Sequence, residues 1–214
     1  MNEAERISEY LHSLEEDKDE FLSEIRTYAK EHDIPIIRRE TESLLRTMLK
    51  LKMPSSILEI GAAIGYSSIV MAGASDADII TIENYEKRIP LAHENIKKAG
   101  LESRIGLREA DAGEVLEELS AENKSFDFIF LDAAKGQYLI WLPLIKKLMH
   151  EGSVLIADNV LQDRTVAESR FTIARRDRTI HERMREFLYR IKHDPELESS
   201  VLNVGDGVSV SVKL

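Results

Sequence analysis

Acidic side chains follow the short apolar segments of this sequence, close to the point where each segment ends. The acids are Glu83, Asp111, Asp132 and Asp158. One acid at such a position is usually a helix N-cap. A set of four is harder to explain as caps, because the carboxyl ends of parallel strands meet at one edge of a sheet, where ligands bind. The pattern therefore predicts a ligand-binding edge.

Asp132, Asp158 and the adjacent Asn159 offer only oxygen ligands, which suit a hard cation such as Mg²⁺. The sequence has no cysteine and its six histidines show no ligand spacing, so we do not expect a zinc or iron site. Lys135 lies three residues after Asp132. Beside a divalent cation and partly desolvated, it would have a lowered pKa and act as a general base. A solvated loop lysine is the alternative interpretation.

A glycine-containing loop, Gly61-Ala62-Ala63-Ile64-Gly65, follows the first apolar segment. Its glycines permit a tight turn and a close approach of the backbone to a ligand. The spacing matches neither the dinucleotide fingerprint nor the phosphate loop. About twenty residues further on, Glu83 could accept hydrogen bonds from both hydroxyls of a ribose. Asp111 and Ala112 could border an adenine.

Apolar segments alternate with helical stretches from Ser56 onwards. The predicted strands are Ile57–Ile60, Ile79–Ile82, Ile105–Leu107, Phe126–Leu131 and Val154–Ala157. The predicted helices between them are Tyr66–Ala74, Glu86–Ala99, Ala112–Leu119 and Tyr138–Met149. This order is typical of an α/β fold with a parallel sheet. Val201–Val204 and Val208–Val212, around Gly205-Asp206-Gly207, predict a C-terminal antiparallel hairpin.

The N-terminal part of the sequence is helical by its apolar spacing. We predict a helix over residues 3–32 with a charged break, and a second over Glu42–Lys52 that Pro54 ends. These helices (1–53) are expected to pack on the sheet or against a second subunit. Residues 1–214 would then form a single domain.

The chain has 214 residues and a net charge of −10, and 43% of its residues are hydrophobic. This composition is typical of a globular protein. No apolar run is long enough to span a membrane, and the acidic N-terminus resembles neither a secretory signal nor a transit peptide. We expect a cytoplasmic protein that binds neither membrane nor DNA.

Residues 163–192 depart from this acidity, with nine basic and five acidic residues. Such arginine clusters contact phosphates in RNA-binding proteins, but they also occur on solvated helix faces, and both interpretations stay open. Candidate RNA contacts are Arg38, Arg39, Arg164, Arg175, Arg176 and Arg178.

In this combination the sequence resembles the Mg²⁺-dependent O-methyltransferases of the catechol and caffeoyl-CoA type, which use S-adenosylmethionine. The resemblance covers roughly Pro35–Leu214 and lies in LEIGAAIGYSS, TIE, ADA, FIFLDAAKGQY and ADNVL. It implies a Rossmann-like class I methyltransferase fold, with a mostly parallel seven-stranded sheet, and a homodimer. The IPI stretch near residue 35, the AAKGQY loop and the basic C-terminal third resemble the bacterial tRNA 5-hydroxyuridine methyltransferases, which make 5-methoxyuridine at the wobble position.

The resemblance also implies roles for individual residues. Those that would contact S-adenosylmethionine are Ile37, Glu59, Gly61, Gly65, Ser67, Glu83, Asp111, Ala112 and Asp132. Asp132, Asp158 and Asn159 would hold Mg²⁺, and Lys135 would be the general base. Ala62 replaces a frequent threonine, Ala134 stands where the catechol enzyme has an aromatic gatekeeper, and that enzyme's additional substrate-binding glutamate has no evident counterpart. The two substrate-side differences suggest a wider mouth.

Three functions therefore follow from the sequence. The first is methylation of 5-hydroxyuridine in tRNA, and the second is methylation of small catechol-like phenols. The third is a non-catalytic adenosine-binding protein on the same fold. The set of Asp132, Lys135, Asp158 and Asn159 argues against the third function, because a binding protein has no need of a metal with a base beside it.

Overall fold

The apolar segments of the sequence form the central strands of one seven-stranded sheet. The computed structural model describes residues 3–14, 19–162 and 164–214. The strands are β1 Ser56–Ile60, β2 Asp78–Glu83, β3 Ile105–Glu109, β4 Phe126–Leu131, β5 Met149–Ala157, β6 Leu197–Leu202 and β7 Val208–Lys213. Their order is β3-β2-β1-β4-β5-β7-β6. β1 to β5 are parallel, and β7 pairs antiparallel with β5 and β6. The predicted fold is therefore confirmed.

Helices cover both faces of this sheet. Those in the described ranges are α1 Glu3–Ser13, α2 Glu20–Glu31, α3 Arg39–Lys52, α4 Tyr66–Ala74, α5 Ile89–Lys98, α6 Ala112–Ala121, α7 Tyr138–Lys147 and α8 Arg178–His193. No helix in these ranges is long and apolar enough to cross a membrane. Short 3₁₀ turns occur at Lys135–Gln137, Thr165–Ala167 and Arg175–Asp177.

The N-terminal prediction needs a correction, since residues 3–32 do not form one helix. α1 ends at Ser13, and α2 begins afresh at the N-cap Asp19, whose carboxylate accepts a hydrogen bond from the Leu22 amide at 3.1 Å. Residues 15–18 of the predicted helix lie outside the described residues. The helix predicted from Glu86 begins at Ile89 instead, because Pro90 favours the first turn of a helix.

Successive side chains of each strand point to opposite faces of the sheet, so the hydrophobic core has two parts. Along β4, Phe128 and Phe130 pack with the side of α2 to α4, whereas Ile129 and Leu131 pack with the side of α6 to α8. The strand order reverses between β1 and β4, so the chain leaves the sheet in opposite directions there. That reversal opens a crevice beyond the carboxyl ends of the strands.

Candidate active site

A cavity of about 780 Å³ lies at the carboxyl ends of β1, β2 and β4, at this crevice. Of the predicted site residues, it is lined by Ile37, Arg38, Gly61, Ser67, Glu83, Asp111, Ala112, Asp132, Lys135 and Asn159. Sequence reasoning missed further lining residues, namely Asn84, Tyr85, Arg88, Gln137 and Trp141. Asn84 and Tyr85 directly follow Glu83, so their position after β2 is the signal that could have found them.

The glycine loop closes one wall of the cavity. Gly61 has φ +105°, and a Cβ atom there would lie 2.0 Å from the Asp132 carbonyl oxygen, so only glycine lets the loop pass the end of β4. Gly65 has φ +80° and begins α4, but it packs against Ala92 and Ile96 and does not line the cavity. Gly65 therefore shapes the loop, and its expected contact with the cofactor stays a prediction.

Glu83 stands at the cavity edge in a fixed orientation. Its Oε2 accepts a hydrogen bond from the Ala63 amide at 2.8 Å. Its Oε1 accepts from the Asn84 and Tyr85 amides at 3.0 and 2.9 Å. A carboxylate has about four acceptor positions, so three are in use and Oε2 keeps one for a ligand hydroxyl. The three amides orient that position before any ligand binds.

Asp111 and Trp141 form another part of the wall. Asp111 caps α6, and its Oδ1 accepts from the Gly113 amide at 2.8 Å. A Cβ atom on Gly113 would lie 3.3 Å from the Trp141 indole nitrogen, so Gly113 leaves room for the ring. Trp141 therefore presents a flat surface next to Asp111 and Ala112, the pair at which the sequence predicts an adenine.

Glu59 lies behind the cavity wall. It is fully buried and is not among the lining residues, and its expected contact with the cofactor stays a prediction. Its Oε2 accepts hydrogen bonds from the Ser68 and Thr81 hydroxyls, and among the described residues its Oε1 has no partner. Burial raises the pKa of Glu59 to about 7, although the hydroxyls of Ser67, Ser68 and Thr81 lower it.

This buried carboxyl predicts a pH-dependent stability. An unfolded glutamate loses its proton near pH 4.5, whereas Glu59 in the fold keeps its proton up to about pH 7. The unfolded state therefore binds fewer protons between these values, and the free energy of unfolding falls as pH rises. We expect Glu59→Gln to remove this fall, worth about 3 kcal/mol between pH 4.5 and 7.5.

Urea unfolding of wild type and Glu59→Gln across that pH range measures the difference. Glu117→Gln is the matched control, because Glu117 is an exposed glutamate on α6. If the free energy of unfolding fell equally with pH in wild type and in Glu59→Gln, the assignment of the pH dependence to Glu59 would be contradicted.

Lys135 is tied to the ends of two strands. Its Nζ donates to Asp132 Oδ1 at 2.8 Å and to the Tyr138 hydroxyl at 3.2 Å. The buried Tyr138 hydroxyl in turn lies 3.1 Å from the Leu131 carbonyl and 3.2 Å from the Asp158 carbonyl. The lysine ammonium is thus held at the point where β4 and β5 end.

The protonation of Lys135 depends on its neighbours in the fold. Burial alone would lower its pKa, but the Tyr138 oxygen and the Asp132 carboxylate outweigh burial and raise the pKa above its ordinary value. The lowered pKa expected for Lys135 depends on a cation beside it, so it stays a prediction. Lys135 can accept a substrate proton only as a neutral amine, so it must first lose its own proton.

Asp132, Asp158 and Asn159 meet at the strand ends, as predicted. Asp158 is buried; its Oδ1 accepts from the Thr41 hydroxyl at 3.3 Å and from the Asn159 amide at 2.8 Å. Its Oδ2 is buried and has no partner among the described residues. Burial, followed by the charge of Asp132, raises the pKa of Asp158 to about 7. Two repelling carboxylates with an unpartnered oxygen fit a cation.

Few protein side chains are available here as metal ligands. The described part of the chain contains no group of three or more histidine, cysteine or acidic side chains that could hold a metal. A cation here would have two carboxylates and the Asn159 amide oxygen. That set suits Mg²⁺, which keeps several waters and takes few protein ligands.

The predicted RNA contacts fall into two groups. Arg38 lines the cavity, whereas Arg39 and the arginines of the 164–178 segment do not. Arg178 donates to the Ile173 carbonyl at 3.0 Å, and Arg176 pairs with Asp177 at 3.4 Å while its side chain stays 88% exposed. Several other basic residues of 163–192 have structural partners, namely Arg170, Arg183, Arg185, Arg190 and Lys192.

α8 brings this basic segment close to Lys135. Arg183 donates to the Gly136 carbonyl at 2.8 Å, and Ile180 lies 4.0 Å from the Cβ position of Gly136. The first half of α8 therefore packs against the turn that contains Lys135.

A profile of the O-methyltransferase family matches residues 11–214. The caffeoyl-CoA O-methyltransferase of Medicago sativa is 32% identical over 203 residues, 89% of this chain and 81% of that protein. The catechol O-methyltransferase of Niastella koreensis is 35% identical over 131 residues, 60% of this chain and 59% of that protein. The crystal structure of the O-methyltransferase from Bacillus cereus in complex with SAH matches with a TM-score of 0.85 and 27% identity, covering 98% of this chain and 97% of that one. The chain thus belongs to the O-methyltransferase family and is an S-adenosylmethionine-dependent O-methyltransferase.

Proposed function

We propose that this enzyme methylates a hydroxyl that stands beside a second oxygen, with Mg²⁺ held by Asp132, Asp158 and Asn159. The observation that carries the proposal is the shape of the cavity. One continuous space is lined by Glu83 and Asp111, which suit a nucleoside, and by Asp132 and Lys135, which suit an acceptor hydroxyl. Donor and acceptor can therefore meet inside it.

Different residues of the cavity would bind the cofactor, hold the cation and accept the proton. Bound Mg²⁺ supplies Lewis-acid chemistry that lowers the pKa of a coordinated hydroxyl. Glu83 Oε2 accepts a hydrogen bond from one ribose hydroxyl, and the glycine loop lets the cofactor approach the backbone. Lys135 Nζ, next to Asp132, accepts the hydroxyl proton as a neutral amine, after losing its own proton to solvent. Holding both reactants in this cavity makes the transfer effectively unimolecular. The oxyanion attacks the sulfonium methyl in line, so the O–C bond forms as the S–C bond breaks and S-adenosylhomocysteine leaves.

As acceptor we propose 5-hydroxyuridine in tRNA, whose O5 hydroxyl stands beside the O4 carbonyl. Ala133 and Ala134 line the cavity without an aromatic side chain, which suits a large acceptor. Arg175 and Arg176 are exposed, and Phe171, also in this segment, is 86% exposed. Exposed arginines with an exposed aromatic ring suit the phosphates and bases of a single-stranded RNA loop.

Small catechol-like phenols are the second candidate acceptors, and the names of the relatives favour them. Those relatives are named for caffeoyl-CoA and catechol, and their names lend no support to an RNA acceptor. A catechol has the same pair of adjacent oxygens, so the metal and Lys135 would act on it in the same way. Membership of an enzyme family argues against the non-catalytic binding protein.

The acceptor is tested by methyl transfer from labelled S-adenosylmethionine. One reaction contains bulk tRNA with 5-hydroxyuridine, and the other contains a simple catechol, both with Mg²⁺. We expect label in tRNA far above label in catechol. Label in catechol alone would overturn the RNA acceptor and leave a small-molecule enzyme.

The arginines give a sharper prediction. Replacing Arg175, Arg176 and Arg178 together by alanine should lower kcat/KM for tRNA at least about tenfold. The slope of log kcat/KM against log salt concentration should become shallower by about 2, since each lost phosphate contact to a single strand removes about 0.7. Transfer to catechol should stay unchanged. The charge-matched control replaces exposed lysines on the far helices, namely Lys30, Lys50 and Lys97. An unchanged tRNA reaction in the arginine variant would remove the electrostatic support for RNA.

A homodimer is part of the proposal as well. The apolar face of α1 is exposed, with Tyr10 at 63% and Leu14, just past its end, at 60%, while α2 and α3 bury their apolar faces in the core. An exposed apolar face of this kind is typical of a subunit contact.

A further inference from the structure

The turn between β6 and β7 packs directly against the segment that follows the metal ligands. The Val160 amide donates to the Gly207 carbonyl at 2.9 Å, and the Leu161 amide donates to the Asp206 carbonyl at 3.0 Å. Val160 is fully buried at this contact. The two hydrogen bonds fix the backbone immediately after Asp158 and Asn159.

Glycine is required at position 207 for two reasons. Its φ is +84°, a left-handed conformation that strains other residues. A Cβ atom there would also lie 2.3 Å from Leu161 Cγ and 2.7 Å from Leu161 Cβ. Any side chain at this position would therefore push Leu161, and with it the segment after Asn159, away from the turn.

The other side of the turn reaches Asp158 through α3. A Cβ atom on Gly205 would lie 3.1 Å from the Thr41 hydroxyl oxygen. That hydroxyl is buried and donates to Asp158 Oδ1 at 3.3 Å, so Oδ2 is the carboxylate oxygen left for a cation. The turn thus confines Thr41, and Thr41 orients Asp158.

The segment that the turn holds has an unusual backbone. Asn159 has φ +54° and Gln162 has φ +51°, both in the left-handed region. Such conformations persist only where the surrounding structure determines them, and they concentrate at functional sites. The Val160 and Leu161 amides, which lie between these two residues, donate to the turn. The turn therefore holds Asn159 and Gln162 in their left-handed conformations.

We propose that the Gly205–Gly207 turn is a positioning element that sets Asp158 and Asn159 for metal binding. The proposal rests on the metal site of the proposed function. The turn does not touch the reacting atoms; it acts through Leu161 on one side and through Thr41 on the other. The antiparallel hairpin at the end of the chain therefore serves the active site as well as closing the sheet.

The test compares two glycine-to-alanine variants of equal backbone strain. Gly207→Ala adds a Cβ atom against Leu161, whereas Gly152→Ala at the start of β5 has φ +79° and open space around it. Mn²⁺ affinity is measured by electron paramagnetic resonance, and S-adenosylhomocysteine affinity by calorimetry. We expect Gly207→Ala to weaken Mn²⁺ binding about 10- to 100-fold, as loss of outer-shell support does, with cofactor affinity unchanged. Gly152→Ala should leave both affinities unchanged.

A double variant tests the route through Leu161. Adding Leu161→Ala to Gly207→Ala removes the atoms that clash, so Mn²⁺ affinity should recover by at least about fivefold, part of the outer-shell loss. If Gly207→Ala does not fold, Thr41→Val replaces it, because valine keeps the shape and removes only the donor to Asp158. We expect Thr41→Val to weaken Mn²⁺ binding several-fold without affecting the cofactor.

Two results would overturn the positioning role. One is wild-type Mn²⁺ affinity in either Gly207→Ala or Thr41→Val. The other is a loss of Mn²⁺ affinity that is equal in Gly207→Ala and Gly152→Ala. Failure of the metal site itself has a different signature, since wild type would then bind no Mn²⁺ and its methyl transfer would resist EDTA.

Discussion

Replacement of Lys135 by alanine is expected to lower kcat for methyl transfer by about 10²- to 10⁴-fold, the range that general-base catalysis contributes. The Lys135 ammonium lies 2.8 Å from Asp132, one of the three residues that would hold the cation. Affinity for S-adenosylhomocysteine should stay unchanged, because Gly61, Glu83 and Asp111 keep their contacts. Rapid-quench turnover and calorimetry measure the two quantities on the same preparation.

The control is Lys147→Ala, which removes an exposed lysine from the end of α7. It should leave turnover and cofactor affinity as in wild type. Undiminished turnover in Lys135→Ala would refute the role of this lysine as base. A parallel loss of cofactor affinity would instead make Lys135 a residue that holds the cavity in shape.

Asp158→Asn is expected to abolish metal-dependent transfer and to weaken Mn²⁺ binding at least about 100-fold, since a metal ion contributes several kcal/mol through its charge. Asparagine keeps the size of the side chain and an oxygen for the Thr41 and Asn159 donors. The loss would therefore come from the charge at Oδ2, the oxygen that has no partner among the described residues.

Asp76→Asn is the matched control for this change. Asp76 is exposed and precedes β2, at the opposite end of the sheet from the cavity. We expect it to bind Mn²⁺ as wild type does, in titrations followed by electron paramagnetic resonance. Wild-type affinity in Asp158→Asn would place the cation elsewhere.

The central strands were predictable because burial on both faces leaves a continuous apolar run. Phe126–Leu131 and Tyr66–Ala74 match β4 and α4 residue for residue. The hairpin was predictable from the glycines around Asp206, although β6 begins at Leu197 and pairs over a longer stretch than the valines indicate. Periodicity alone did not separate α1 from α2, because a new N-cap inside a helical pattern looks like one more charged residue.

The candidate site was predictable to the extent that its residues follow strands. Glu83, Asp111 and Asp132 line the cavity for that reason. Glu59, Gly65 and Asp158 do not line it, because spacing along the chain cannot tell a residue that borders the cavity from one that lies behind its wall. Trp141 escaped notice since it stands in an apolar run of α7, where nothing in the sequence separates a cavity wall from the core.

Interactions between distant segments account for other differences. Several arginines of the basic segment are committed to carbonyl groups, as Arg183 is to that of Gly136. The contact of the hairpin turn with Leu161 joins residues more than forty positions apart. None of these pairings has a signature in one sequence, because each arises only when the sheet brings the segments together.

Methyl transfer from labelled S-adenosylmethionine with Mg²⁺ and with EDTA tests most directly whether a cation at Asp132, Asp158 and Asn159 drives the reaction. Each reaction contains whichever acceptor, tRNA or catechol, takes up label with Mg²⁺. We predict that EDTA abolishes transfer and that excess Mg²⁺ restores it. Transfer that persists in EDTA would contradict the assignment of these three residues as a metal site and require another activator for the acceptor hydroxyl.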